Sequence, residues 1–188
     1  MKIGRLYTFE AAHVVRNCAS KRCKYSIHGH SYKLEIILSA AGLDNAQMIY
    51  DFGLMKREIA AIIDSFDHST IIYSGDDESY KNAIKSCSQR WVELPFNASC
   101  EQISRVIFAF VNAILEQTTM QNGENSVFLD SIKLNETAKG WAIFERADLA
   151  LMPVELDKIK FSEEIMLENA FIFEKLKNKE KFINPKEV

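Results

Sequence analysis

The chain opens on a strict alternation. Ile3, Arg5, Tyr7, Phe9, Ala11 and His13 occupy every second position. A period of two sends successive side chains to opposite faces, so residues 3–13 predict a half-buried strand. Residues 14–27 are polar, with Lys21, Arg22 and Lys24 around the cysteines, and predict a loop. Alternation returns at His28. His28, His30, Tyr32, Leu34, Ile36 and Leu38 share one face of a second predicted strand, and Ala40 to Gln47 reads as a turn and connection.

The period then changes. Met55, Ile59, Ile62, Ile63 and Phe66 recur at helical spacing, with Asp51 as the cap of a helix that starts near it. Residues 73–94 are polar and mixed and predict an insertion without regular periodicity. A second helix is the best defined element. Ile103, Val106, Ile107, Phe110, Val111, Ile114 and Leu115 form one apolar stripe, and Ser99 with Gln102 has capping-box spacing. Gln121 to Asn125 reads as a loop. Residues 127–136 and 140–145 predict a hairpin around Ala138-Lys139-Gly140. In the remaining segment Ser162 caps a predicted helix with Glu163 and Glu164 in its first turn. Lys175, Lys177 and Lys179 lie near its end, where cations suit the helix dipole. The order of elements predicts an α+β domain over residues 1–150. It would be a four-stranded antiparallel sheet with two helices on one face, carrying a helical appendage over 151–188.

Composition narrows the class. With 47% apolar and 26% charged residues, 188 residues supply a core for one domain. A net charge of −3 gives no basic field for nucleic acid, although local lysines or helix ends still suit a small phosphorylated ligand. The longest apolar runs fall short of the roughly 18–20 residues of a membrane span. Met1 to Arg5 leads into a strand pattern with no apolar leader core. These features predict a cytoplasmic protein with no membrane partner. Its four cysteines, Cys18, Cys23, Cys87 and Cys100, form no CxxC pair and are expected as thiols.

The chemistry gathers around four histidines. His28 and His30 leave one side of a strand, with Gly29 between them. His13 ends the preceding strand and can meet them if the two strands are antiparallel neighbours. Three neutral imidazoles suit Zn2+ and leave a fourth position open for water or substrate. Cys23, in its basic loop, is the candidate general base, and Cys18 competes with it. Asp67 precedes His68, where it can orient a partner or tune a proton network. Glu136 shares a strand face with Ile132 and Leu134, so its carboxylate needs a partner such as the guanidine-like edge of a pterin or guanine. Glu101 falls in the first turn of the second helix, where dipole stabilisation already accounts for it.

Together these pieces resemble the 6-pyruvoyltetrahydropterin synthase family, with the bacterial branch that makes 6-carboxytetrahydropterin for queuosine as the nearest likeness. The residues that carry it are Phe9-Glu10-Ala11-Ala12-His13, Cys23 ahead of His28-Gly29-His30-Ser31-Tyr32, Asp51-Phe52, Asp67-His68 and Glu136-Thr137. The resemblance implies the T-fold and a homo-oligomer, commonly two stacked trimers, with active sites at subunit boundaries. It implies zinc on His13, His28 and His30, Cys23 as proton acceptor and Asp67 with His68 as its relay. Glu136 would hold the pterin ring, with Thr137 beside it and Glu101 assisting. The implied substrate is dihydroneopterin triphosphate, and the implied lyase reaction releases triphosphate and acetaldehyde. Four residues separate Cys23 from His28. In the resemblance the carboxy enzymes have about three there and the pyruvoyl synthases about five. A pyruvoyl synthase, and a zinc-stabilised module without catalysis, therefore stand as alternatives.

Overall fold

The first alternating stretch folds back on the second. In the computed structural model, which describes residues 1–185, β1 (Lys2–His13) pairs antiparallel with β2 (His28–Ser39) along its whole length. The expected appendage's residues 186–188 lie outside the described residues. The inward stripe of β2, Tyr32, Leu34, Ile36 and Leu38, is completely buried. Burying each of the three aliphatic side chains contributes roughly 1.5–3 kcal/mol. A one-residue slip would turn the whole stripe to solvent, so the register is firmly specified.

Between the strands, the expected loop contains a short helix, α1 (Lys21–Tyr25). The helix expected from Asp51 is divided. The Asp51 carboxylate accepts from the Gly53 amide at 2.6 Å and shapes a 3₁₀ turn at Leu54–Lys56. The helix proper, α2 (Glu58–Asp64), follows, and Met55, Ile59, Ile62, Ile63 and Phe66 are buried as the spacing requires.

Residues 73–94 are regular, contrary to expectation. β3 (Ser69–Tyr73), α3 (Glu78–Cys87) and β4 (Trp91–Leu94) form a parallel crossover unit. β4 is buried but contains Glu93, whose carboxylate meets Lys85 at 2.6 Å and Lys160 at 3.8 Å. A four-residue strand with a paired charge in its middle has no readable period.

α4 (Cys100–Glu116) is the central helix, and its apolar stripe lies on the sheet. Ser99 is its N-cap, but the expected capping box does not form: the Ser99 side chain makes no cap bond, and Gln102 accepts from Arg105 at 2.8 Å instead. After the short β5 (Thr118–Thr119), β6 (Phe128–Asn135) and β7 (Trp141–Glu145) make the expected hairpin.

The last part of the chain joins the same core. A helical turn, α5 (Asp148–Leu151), leads to β8 (Lys160–Phe161), which pairs antiparallel with β4. The expected single helix is two, α6 (Glu163–Glu168) and α7 (Ala170–Asn178), broken at Asn169. Ser162 is the N-cap of α6 without a side-chain cap bond. β9 (Phe182–Ile183) pairs with β5. Ile159, Phe161, Ile165, Ile172 and Phe182 are buried in the main cluster. The sheet therefore has seven strands, in the order β7-β6-β2-β1-β3-β4-β8, rather than four in a purely antiparallel arrangement. No helix among the described residues is long and apolar enough to cross a membrane.

Phe161 meets Phe66, Phe110 and Phe173. Phe161→Ala is expected to lower stability by about 3–5 kcal/mol. Urea unfolding followed by tryptophan fluorescence and far-ultraviolet dichroism should give one coincident transition. An early loss of helical signal alone would mean that the C-terminal segment folds as a separate unit.

Candidate metal centre and surrounding clefts

The β1–β2 register decides which side chains meet at the loop end of the hairpin. His13 stands directly opposite His28, and His30 stands opposite Ala11. Opposed residues of an antiparallel pair carry Cβ atoms about 4.5–5.5 Å apart on one face. The three rings accordingly gather, with centroids 4.6 Å (His13–His28), 5.2 Å (His13–His30) and 5.1 Å (His28–His30) apart. One nitrogen from each lies within 4.8 Å of the others.

Backbone carbonyls select the ring nitrogens that face inward. His13 Nδ1 lies 2.7 Å from the Ala98 carbonyl, and His28 Nδ1 lies 3.0 Å from that of Ser26. A carbonyl only accepts, so each Nδ1 carries the proton and each Nε2 keeps a lone pair. The Nε2 atoms of His13 and His30 are buried without a hydrogen-bond partner. A Glu136 carboxylate oxygen lies 3.5 Å from the first and 3.9 Å from the second. Lone pairs and a carboxylate at this range repel unless a cation lies among them. Burial pulls the His13 imidazole down to about 4, against the Ala98 hydrogen bond and helped by His28 and His30. Burial also lowers His30, against the pull of Glu136. Neutral imidazole is the metal-binding form, so the donor set fits a metal ion.

Three clefts adjoin these donors. The first, about 340 Å³, is walled by Cys18, Cys23, Glu101 and Glu136. Cys23 is half-buried on α1, and its carbonyl accepts from the Val15 amide at 3.0 Å. Arg16 fixes the same loop, reaching Asp76 at 2.5 Å and the Lys24 carbonyl at 3.2 Å. The Cys18 thiol donates to the Ser20 carbonyl at 3.3 Å. Cys100 also reaches this cleft, but burial pushes its thiol up to about 12. The second cleft, about 680 Å³, runs from His30 past Lys33 and Lys133 to Glu136 and Thr137. The Thr137 hydroxyl accepts from the Gly140 amide at 2.9 Å and so shapes the β6–β7 turn.

Asp67 and His68 lie elsewhere, and His68 lines a third cleft of about 330 Å³ that also reaches His30. The Asp67 carboxylate bonds directly to the neighbouring ring, with Oδ2 2.8 Å from His68 Nδ1. Adjacent residues rarely achieve this. Here His68 takes a left-handed backbone, φ 53°, which folds its ring back. Partial burial of Asp67 opposes ionisation, yet hydrogen bonds from the Glu10 amide and His68 hold its carboxyl below the usual range. His68 itself is largely exposed. The structure thus gathers His13, His28, His30 and Glu136, sets Cys23 and Glu101 on an adjoining cleft, and keeps Asp67 and His68 apart from Cys23. The sequence reading gave no role to Ala98, whose carbonyl orients His13. It also missed the Ser31–Glu10 hydrogen bond of 2.8 Å across the strands. Both depend on the register and on tertiary placement, which no local pattern announces.

Residues 2–147 match the profile of the family described as 6-pyruvoyl tetrahydropterin synthase. A Helicobacter pylori protein named 6-carboxy-5,6,7,8-tetrahydropterin synthase is 38% identical over 142 residues, covering 76% of this chain and 71% of its own length. A Rickettsia felis protein of the same name is 33% identical over 139 residues, 73% of this chain and 94% of its own. Among solved structures, an uncharacterized protein from Wolinella succinogenes superposes with a TM-score of 0.58 at 17% identity, covering 78% of this chain and 98% of that one. The Caenorhabditis elegans 6-pyruvoyl tetrahydropterin synthase gives 0.54 at 21% identity, covering 77% and 94%. The two structures bear on the fold alone, which is the T-fold. The matched region holds both histidine-bearing strands, the Cys23 loop, the Asp67–His68 corner and Glu136, and on that match the chain belongs to the 6-pyruvoyl tetrahydropterin synthase family.

Proposed function

We propose that the chain is a zinc-dependent lyase that converts dihydroneopterin triphosphate to 6-carboxytetrahydropterin, releasing acetaldehyde and triphosphate, in cytoplasmic queuosine biosynthesis. One observation carries the reading: three imidazoles with ligating nitrogens within 4.8 Å of one another stand beside the Glu136 carboxylate, which also walls the cleft that holds Cys23. The names of relatives that share more than a third of their aligned residues support the choice of product. Zinc, when bound, would polarise the substrate's side-chain oxygens and make neighbouring C–H protons more acidic.

The chain's own residues then divide the work. Cys23 takes the proton, from the cleft whose wall it shares with Glu136. Cys18 is less suited, because its hydrogen is already given to a carbonyl. Glu136 accepts two N–H donors from the guanidine-like edge of the pterin. Glu101 borders the same cleft from the α4 side and assists, and Thr137 borders the adjacent one. Asp67 holds the His68 ring as a proton relay. Cys23 and His68 of one chain open into different clefts, which suits the family resemblance's implication of a homo-oligomer, two stacked trimers, in which the relay is completed between copies. The outermost strand β7, with exposed Trp141 and Ile143, offers an edge for that assembly.

The direct test is to incubate metal-loaded protein with dihydroneopterin triphosphate and identify products by mass spectrometry. 6-Carboxytetrahydropterin with acetaldehyde is expected. A 6-pyruvoyl product would move the assignment to the other activity of the family, and unchanged substrate would reject a lyase. His28→Ala should reduce bound metal to background in elemental analysis, whereas retention of a full equivalent would remove these histidines as ligands. Cys23→Ala should keep the metal and lower kcat by about 10²–10⁴-fold. If Cys18→Ala does so instead, the base is misassigned. Glu136→Gln should raise KM by about 10–100-fold through loss of a charged hydrogen-bond acceptor.

A further inference from the structure

The Asp67–His68 corner is gripped from behind by Arg90 and by residues that lie after the family-matched region. Three contacts converge on it. First, Arg90, only 14% exposed, donates from Nε to the Asp67 carbonyl at 2.9 Å and from Nη2 to the Asp64 carbonyl at 2.7 Å. Asp64 ends α2, and its carbonyl also accepts from the Asp67 amide at 2.8 Å, so the two contacts span the turn that leads into the corner. The remaining arm of the guanidinium is held by α6: Nη1 bonds to Glu168 and lies 3.7 Å from Glu164. Second, the buried Phe66 packs edge-on against Phe161 of β8, with centroids 6.2 Å apart. Third, the buried Asn169 amide donates to the Ser65 hydroxyl at 3.1 Å. Residues 64, 65, 66 and 67 are thus each touched by Arg90 or by the C-terminal segment.

The grip matters because of what the corner does next. His68 sits in the left-handed region, which is uncommon for residues other than glycine, and in that conformation its ring reaches the Asp67 carboxylate. On the exposed side the corner is tied by its hydrogen bonds with Glu10 of β1. On the other side the ties are those of Arg90, Phe161 and Asn169. A planar fork with five donors suits this work, since it can serve two carbonyls and a carboxylate at once.

We propose that the segment after residue 147 is a positioning element for the Asp67–His68 pair, acting through Arg90. The consequence for turnover rests on the relay role given to His68 above; the consequence for the ring's placement does not. Arg90 is a positioning residue, since it touches the Asp67 backbone rather than any reacting group.

The test uses the full chain with metal bound. Two variants loosen the grip while leaving the core in place: Glu164→Gln with Glu168→Gln, and Arg90→Lys, which keeps the charge but loses the fork. Only four histidines contribute imidazole signals in a nitrogen-edited spectrum, and His68→Gln assigns the one that matters. The His68 signal should shift or broaden in both variants, while those of His13, His28 and His30 and the metal content stay as in the parent. With turnover established, kcat should fall about 10–100-fold, the scale of a misplaced catalytic group, with KM within about twofold. An unmoved His68 signal with unchanged kcat would overturn the proposal. So would movement of all four signals with loss of metal, because that would mean Arg90 and the segment merely stabilise the fold. If the parent protein shows no turnover, the reaction assignment fails, and the His68 spectrum still decides whether the segment positions the ring.

Discussion

The antiparallel register of β1 and β2 is the constraint on which the rest depends. It puts His13 opposite His28 and brings His30 onto the same face. Nothing in three lone-pair-bearing imidazoles favours their own assembly. The register is imposed further along the pair, by Phe9, Tyr32, Leu34, Ile36 and Leu38, whose burial is lost if the strands slip. The apolar stripe and the donor set therefore lie on one face of one ladder. Stabilisation along the apolar stripe holds together groups that would otherwise separate at the loop end.

That division explains what could be read beforehand. β1, β2, α4 and the β6–β7 hairpin are long enough for their periods to stand out, and the histidines follow from the period once the strands pair. β3, α3 and β4 could not be read in the same way. Ile71, Ile72, Val92 and Leu94 are buried in strands too short to alternate, and Glu93 hides among them because Lys85 and Lys160 neutralise it. The Ser99–Gln102 spacing misled for a different reason. Arg105 offered Gln102 a stronger, charged donor than the backbone did. The direct Asp67–His68 bond was invisible because it depends on one left-handed residue, a property no sequence pattern encodes for histidine. The expected ligand set, in contrast, required only that two strands be neighbours.

Glu136 links the metal donors to the cleft that holds Cys23. Its carboxylate faces the free Nε2 atoms of His13 and His30, yet it also lines the clefts beside Cys23 and Thr137. In the proposed reaction these two neighbourhoods are the two ends of one substrate, the side chain toward the metal and the ring toward the carboxylate. A cation among the imidazoles removes the repulsion on one side of Glu136. A ligand with N–H donors satisfies the other. In that proposal each occupant would improve the site for the other through a single carboxylate.

The C-terminal segment bears on the same site from a different direction. Its aromatic residues close the core, with Phe161 and Phe173 4.7 Å apart and Phe161 reaching both Phe66 and Phe110. Phe66 stands one residue before Asp67, so the packing that buries the segment also fixes the start of the corner. An element added only for stability would need no polar contacts at the end of α2. This one places two carboxylates on the single guanidinium that holds the end of α2, and a buried amide on the serine beside it. Polar contacts so placed add little to the hydrophobic gain. What they add is direction, because a guanidinium fork and a buried amide hold the backbone at one angle where aromatic packing alone would allow several.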